Sequence, residues 1–257
     1  MCSCLWAGLV EAAQYLLWEA AALVRPPAHV VLVGLDSSGK TTALFRLRYG
    51  QYVNAVPTVG FNTEKVRAGG ANWLIWDVGG AERVRPLWRS YTRATDALIF
   101  VVDSSTSEER LEETRVELQR LTKQQTAQCV ALNRPRPPLL VLANKQDLPG
   151  AREPQHLAKA MGLPELPDSQ PWAVAPACAV TGEGLDEAMA TLHQLVLKSR
   201  QSRPRTAREG LSPTPLQVRT SSRRRPPRAT QESEITIQRL SVMRLDPVAA
   251  SHGPKIG

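Results

Sequence analysis

The chain has 257 residues, enough for one packed domain with appendages, and a net charge of +8. Residues 199–257 carry 12 Lys/Arg against 4 Asp/Glu, while the first 198 residues carry 20 of each, so the body is neutral and the basic character belongs to a tail. Four cysteines in this length make no disulfide framework, which excludes a disulfide-stapled secreted scaffold; a reducing compartment fits.

Residues 1–27 form an apolar segment closed by Arg25-Pro26-Pro27. At 100° per residue Leu5, Leu9, Leu16 and Leu23 fall together, flanked by Trp6, Val10, Leu17 and Val24. Glu11, Gln14, Tyr15 and Glu19 fall on the opposite side, so the segment is predicted to be an amphipathic helix. The basic region that a secretory signal needs is missing, and two glutamates argue against a spanning helix. An interfacial helix is expected, with Cys2 and Cys4 as candidate palmitoylation sites; the alternative is a helix packed on a groove of its own domain.

From residue 28 strand-like and helix-like patterns alternate. HVVLVG, DALIFVVD, PLLVLAN and WAVAPACA are continuous apolar runs, read as buried strands. Helical patterns lie near 40–49, 82–94, 106–123, 154–161 and 184–198. FNTEKVR and NWLIWD, joined by AGGA, read as a β-hairpin. The expected fold is α/β: a six-stranded, mostly parallel sheet with one antiparallel strand and helices on both faces. Residues 124–137, QQTAQCVALNRPRP, read as a loop insertion because Pro135 and Pro137 oppose helix. The domain is expected to span 28–198. Residues 199–257, rich in Ser, Arg and Pro, are expected to be disordered, with one more apolar stretch at 234–245.

Three motifs carry chemistry. Gly34-Leu35-Asp36-Ser37-Ser38-Gly39-Lys40-Thr41-Thr42 follows a buried strand and opens a helix, the context of a phosphate-binding loop. Lys40 would reach the outer phosphates and the Thr41 hydroxyl would bind Mg²⁺. Asn144-Lys145-Gln146-Asp147 ends the strand PLLVLAN on the ligand-binding edge of such a sheet. The Asp147 carboxylate can accept from guanine N1–H and the 2-amino group, donors that adenine lacks. Cys178 and Ala179 end the next strand, where backbone N–H groups would touch the base. Between these motifs lie Thr58, a second hydroxyl for Mg²⁺, and the stretch WLIWDVGGAER. There Asp77 is placed to hold a Mg²⁺ water and the Gly80 N–H to meet the third phosphate of GTP; loops held only by that phosphate release on hydrolysis.

PTVGFNTEK, WDVGG, RPLWRSY, ANKQDLP and TGEGL, in this order and spacing, resemble Arf-like small GTPases over about residues 28–198, closest to the subgroup with FNTEK and a basic C-terminal extension. The resemblance implies a Ras-type fold, GTP/GDP and Mg²⁺ as cofactors, and a hairpin that shifts register between nucleotide states. It implies an effector surface of Phe61, Trp76 and Tyr91, which on pattern alone read as packing residues. It also implies effector partners, among them exchange factors for Arf proteins. The chain departs from the family at Ala81, where glutamine usually orients the attacking water. It departs again at MCSC, which lacks the Met-Gly myristoylation signal, and in the insertion and tail.

Arg223, Arg224, Arg225 and Arg228, with Arg200, Arg203, Arg205 and Arg208, suit an anionic membrane surface or a nuclear import receptor. Nucleic-acid binding is disfavoured because no aromatic residues are interleaved for base stacking. Two functions remain: a membrane-recruited GTP switch with impaired hydrolysis, and a GTP-locked scaffold that barely turns over. A phosphate-loop kinase is disfavoured by the NKQD stretch. The expected location is the cytoplasmic face of membranes, the plasma membrane first, with cytoplasm and nucleus as further sites; a monomer is expected.

Overall fold

The computed structural model describes residues 26–201. The amphipathic segment with Cys2 and Cys4, and the basic tail, lie outside the described residues.

Six strands form one sheet in the order β2-β3-β1-β4-β5-β6. They are β1 (Ala28–Val33), β2 (Phe61–Ala68), β3 (Ala71–Val78), β4 (Ala97–Asp103), β5 (Leu139–Asn144) and β6 (Trp172–Pro176). Only the β2–β3 pair is antiparallel. The tip of that hairpin is Gly69-Gly70, at φ 57° and 73°. Positive φ at both turn positions matches the right-handed twist of the flanking strands and is adopted by glycine without steric cost.

The helices are α1 (Lys40–Tyr49), α2 (Trp88–Tyr91), α3 (Glu108–Ala131), α4 (Pro154–Ala160) and α5 (Leu185–Gln201). Two apolar layers sandwich the sheet. Leu44 of α1 and Met189, Leu192 and Val196 of α5 pack on one face with Val30, Ile75, Ile99 and Leu140. Trp88, Leu118 and Leu121 of α2 and α3, with Leu157 of α4, pack on the other with Val31, Phe100 and Val141. Strands β4 and β5 lie between both layers, which is why ALIFVV and LLVLA carry no polar alternation.

Three stretches differ from the sequence expectation. Helix α3 runs through 124–131, so the predicted loop insertion shrinks to the residues before β5. QQTAQCVA contains no Gly or Pro to stop a helix, and the prolines act only from Pro135 onward. The helix expected over 82–94 is broken into a 3₁₀ turn at Arg85–Leu87, the short α2, and a second 3₁₀ turn at Thr92–Ala94. Strand β6 stops at Pro176; Ala177 still donates to Ala143 O at 2.9 Å, and the chain then turns at 178–179.

Candidate nucleotide-binding site

The carboxyl ends of β1, β3, β4 and β5 deliver all three motifs to one edge of the sheet, the edge where open α/β sheets bind ligands. Helix α1 opens at Lys40 behind Gly39, which sits at φ 91° with no side-chain cap. Its first backbone N–H groups are left for an anion. A cavity of about 370 Å³ lies over this point, bounded by Lys40, Thr41, Thr42, Thr58, Gly80 and Ala81 among others. Asp36, Ser37 and Gly39 line it too, whereas Ser38 turns inward and donates to Leu35 O at 2.9 Å.

Lys40 is 6% exposed and its ammonium donates to Leu35 O at 2.6 Å. Burial pushes its pKa down to about 8, against the opposing pull of Asp77 and Asp36. Thr41, Thr58 and Asp77 meet beside it. Thr41 Oγ1 donates to Asp77 Oδ2 at 2.6 Å, and the two threonine hydroxyls lie 2.9 Å apart. Asp77 is fully buried, and its Oδ1 has no partner. An all-oxygen set with one orphaned carboxylate oxygen is the donor chemistry that Mg²⁺ takes, so the residues fit that ion. Thr41, Thr58 and Asp77 would hold it, and it would supply positive charge against phosphate oxygens. Asn62 completes the cluster, which the sequence analysis missed: its Nδ2 reaches both Thr58 Oγ1 (3.3 Å) and Asp77 Oδ2 (3.2 Å). Its pairing register opposite Asp77 in the hairpin was the available signal.

On the base side, Asn144 holds two loops together. Its Nδ2 donates to Ser38 O at 2.8 Å, and its Oδ1 accepts from Ala179 N–H at 2.9 Å. Lys145 pairs with Asp103 at 2.7 Å. Burial alone would raise the Asp103 carboxyl; the hydrogen bonds from Lys145 and Ser105 outweigh it and hold the group below the usual range. Gln146 faces inward instead, donating to Ser104 Oγ at 2.9 Å, so it braces the loop. Asp147 is exposed, and no partner for its carboxylate occurs among the described residues. The N–H groups expected to touch the base are engaged within the protein. Cys178 N–H donates to Glu183 O, because the turn after β6 closes on itself, and Ala179 N–H donates to the Asn144 side chain at the end of β5.

Arg85 is the other residue the sequence did not reveal. It lies in the RPLW stretch, where an arginine reads as surface, yet its side chain is only 4% exposed. Its Nε donates to Gly80 O at 2.9 Å, and its guanidinium pairs with Glu113 (2.7 Å), Glu117 and Asp36 (both 3.5 Å). It ties the loop after β3 to α3 and to the phosphate loop. The rings of Phe61, Trp76 and Tyr91 form one cluster, with centroids 5.0, 5.5 and 6.1 Å apart. Phe61 is half exposed, so the cluster offers an aromatic surface to solvent.

This fold and this cavity define a nucleotide-binding α/β domain of the phosphate-loop type. The model of the ADP-ribosylation factor family matches residues 17–196, and the chain belongs to that family. It is 48% identical to human ADP-ribosylation factor-like protein 4C over 179 residues, 68% of this chain and 89% of the relative. It is 44% identical to human ADP-ribosylation factor-like protein 4A over 178 residues, 67% and 85% of the two chains. Among solved structures, the Arl6 BBS3 small GTPase from Trypanosoma brucei with bound nucleotide analogue GppNp superposes with a TM-score of 0.60 at 32% identity. That match covers 68% of this chain and 99% of the other. The protein is thus an Arf-like small GTPase by family, consistent with a switch that binds GTP and GDP and works through effector and regulator proteins.

Proposed function

We propose that this protein is a GTP switch of the Arf-like type with impaired hydrolysis. The observation that carries this reading is Ala81. It lines the cavity beside Gly80, where a water-positioning side chain would act, and offers only a methyl group. Its neighbours do not replace it. Glu82 and Arg83 are exposed and absent from the cavity wall, and Arg85 is committed to Gly80 O and three carboxylates. The sensing parts are kept: Thr41, Thr58 and Asp77 would hold Mg²⁺, Lys40 and the N-terminus of α1 would hold phosphate, and Asp147 would read guanine. Intrinsic hydrolysis in such switches is slow even with glutamine, on the order of 10⁻⁴ per second. Single-turnover hydrolysis of bound GTP is expected to be slower than this and to rise in Ala81→Gln, with GTP affinity unchanged. Wild-type turnover as fast as Ala81→Gln, with and without an activating protein, refutes the reading. Hydrolysis undetectable over many hours would make the protein a GTP-locked scaffold, the limiting form of the same defect.

The same reading places the protein on membranes, through residues 1–24 and acylation of Cys2 and Cys4, with effectors docking on Phe61, Trp76 and Tyr91. Exchange factors for Arf proteins are the effector class we favour. The arginines of the tail are assigned to the cytoplasmic leaflet and to import receptors.

A further inference from the structure

A second cleft, about 50 Å³, lies at the amino ends of β4 and β5, opposite the nucleotide edge. Thr92, Arg93, Asp96, Gln128, Cys129 and Arg134 bound it. Two of its polar groups are unsatisfied. Thr92 is 3% exposed and its Oγ1 has no partner among the described residues; Gln128 spends its Nε2–H on Arg89 O at 3.2 Å, leaving a buried Oε1 without a donor among them. Arg93 and Arg134 are exposed, and neither forms an ion pair among the described residues. The one acid, Asp96, is already engaged, accepting from His29 N–H at 3.0 Å and pairing with Arg200 at 3.6 Å. These two contacts also place the cleft beside both ends of the described chain, where the N-terminal segment and the basic tail join the domain.

Two free guanidiniums suit a phosphate, and the unpartnered Gln128 amide oxygen and Thr92 hydroxyl call for a donor on the same ligand. We propose that this cleft binds the headgroup of an anionic phospholipid, with its phosphate on Arg93 and Arg134 and a headgroup hydroxyl or ammonium on Gln128 Oε1 and Thr92 Oγ1. The inference deepens the membrane reading above and rests on it, because a membrane engaged by residues 1–24 would face this end of the domain.

Cys129 supplies the readout, since it lines the cleft and is partly exposed. Burial pushes its thiol pKa up, so alkylation is best run at alkaline pH, with mass spectrometry separating Cys129 from Cys2, Cys4 and Cys178. The full chain is exposed to phosphatidylcholine vesicles, to vesicles containing phosphatidylserine or phosphoinositide, and separately to soluble inositol trisphosphate, glycerophosphoserine and inorganic phosphate. At a ligand concentration about four times Kd, alkylation of Cys129 should slow about fivefold. Anionic vesicles and at least one soluble headgroup should protect; phosphatidylcholine and inorganic phosphate should not. Thr92→Val keeps charge and shape, so it should lose the protection while tail-driven vesicle binding persists; Arg93→Gln should lose it too. Vesicle binding with no protection of Cys129, or protection unchanged in both variants, overturns the cleft assignment and leaves the membrane reading standing. Protection by inorganic phosphate equal to that of any headgroup overturns the lipid assignment. Protection by soluble headgroup without any vesicle binding supports the cleft and sinks the membrane reading alone.

Discussion

Arg85→Leu removes a buried cation that joins the loop after β3 to α3 and the phosphate loop. Breaking a buried pair by deleting one partner costs about 3–5 kcal/mol when the other charge is stranded. Here the partners are not left alone: Glu113 and Asp36 are 38% and 51% exposed and both keep Arg110, at 2.7 and 2.8 Å, while Glu117, 15% exposed, keeps Arg120 at 3.8 Å. The main loss is the hydrogen bond to the Gly80 carbonyl, about 1–3 kcal/mol for a buried group left unsatisfied. The expected cost is therefore about 2 kcal/mol, the middle of the range for an unsatisfied buried group and below the range for a stranded charge. At about 2–4 °C per kcal/mol for a domain of this size, the Tm should fall by about 4–8 °C, measured at fixed nucleotide concentration. Gly80 would meet the third phosphate through its N–H, so losing its anchor should also lower the affinity for GTP more than that for GDP. The pH dependence has a definite sign. Burial alone would raise the Glu113 and Asp36 carboxyls; arginine partners, Arg85 and Arg110 for Glu113 and Arg110 first for Asp36, hold both below the usual range. A carboxyl depressed in the folded state stabilises fully above its unfolded pKa, near 4, and that stabilisation is lost as pH falls through the folded value. The difference between wild type and Arg85→Leu should therefore shrink below about pH 4. A leucine variant within about 0.5 kcal/mol of wild type, the range of an ordinary surface substitution, with an unchanged GTP-to-GDP preference, would refute this account of Arg85.

Asp147→Asn should leave stability unchanged, because the carboxylate has no partner among the described residues. It should lower GTP affinity on the order of 10²- to 10⁴-fold, two hydrogen bonds to a charged group, and gain xanthosine triphosphate; full retention of GTP preference would remove it from the base site. Lys40, at about 8, should become fully protonated against a polyphosphate. GTP binding at pH 8 should then take up about half a proton, seen by calorimetry in buffers of different ionisation enthalpy; zero uptake would place Lys40 away from the phosphates. Cys2→Ser with Cys4→Ser should weaken membrane fractionation in cells, since one helix or one acyl chain alone binds marginally; full retention would make the cysteines incidental.

The sheet and its hairpin were legible because burial on both faces leaves β4 and β5 no polar positions, and because AGGA between two apolar runs admits few other geometries. The phosphate-loop residues were legible because backbone N–H groups at a helix start need glycine and small residues at fixed offsets. What escaped depends on partners distant in sequence. Arg85 reads as a surface cation until Glu113 and Glu117 arrive on α3, and Asn62 reads as a polar strand residue until it pairs opposite Asp77. The end of α3 was missed because a polar, proline-flanked stretch was given to the prolines several residues too early. The acceptors of Cys178 and Ala179 N–H were hidden for a related reason: local sequence shows that an N–H exists, while Glu183 O and Asn144 Oδ1 are brought to it by the fold.

On the proposed reading, sensing and hydrolysis rest on different kinds of structure in this domain. The proposed sensing cluster is Thr41, Thr58, Asn62 and Asp77, drawn from α1, the loop before β2, and two paired strands. Each holds the others, and Asp77 sits at the buried end of β3, so altering one disturbs the register of the hairpin or strands a buried carboxylate. Gly80 is equally constrained, since a Cβ there would come within 2.4 Å of the Gly34 carbonyl oxygen. Residue 81 is different. Its backbone carbonyl accepts from Val84 and Arg85 N–H whatever side chain it carries, and the side chain itself points to an open cavity. A side-chain change there costs the fold little, whereas a Cβ at Gly80 would clash with the phosphate loop and a change at Asp77 would break its bonds to Thr41, Thr58 and Asn62. On the proposed reading, turnover is given up at residue 81 alone, while the cluster around Asp77 that would respond to the nucleotide is kept.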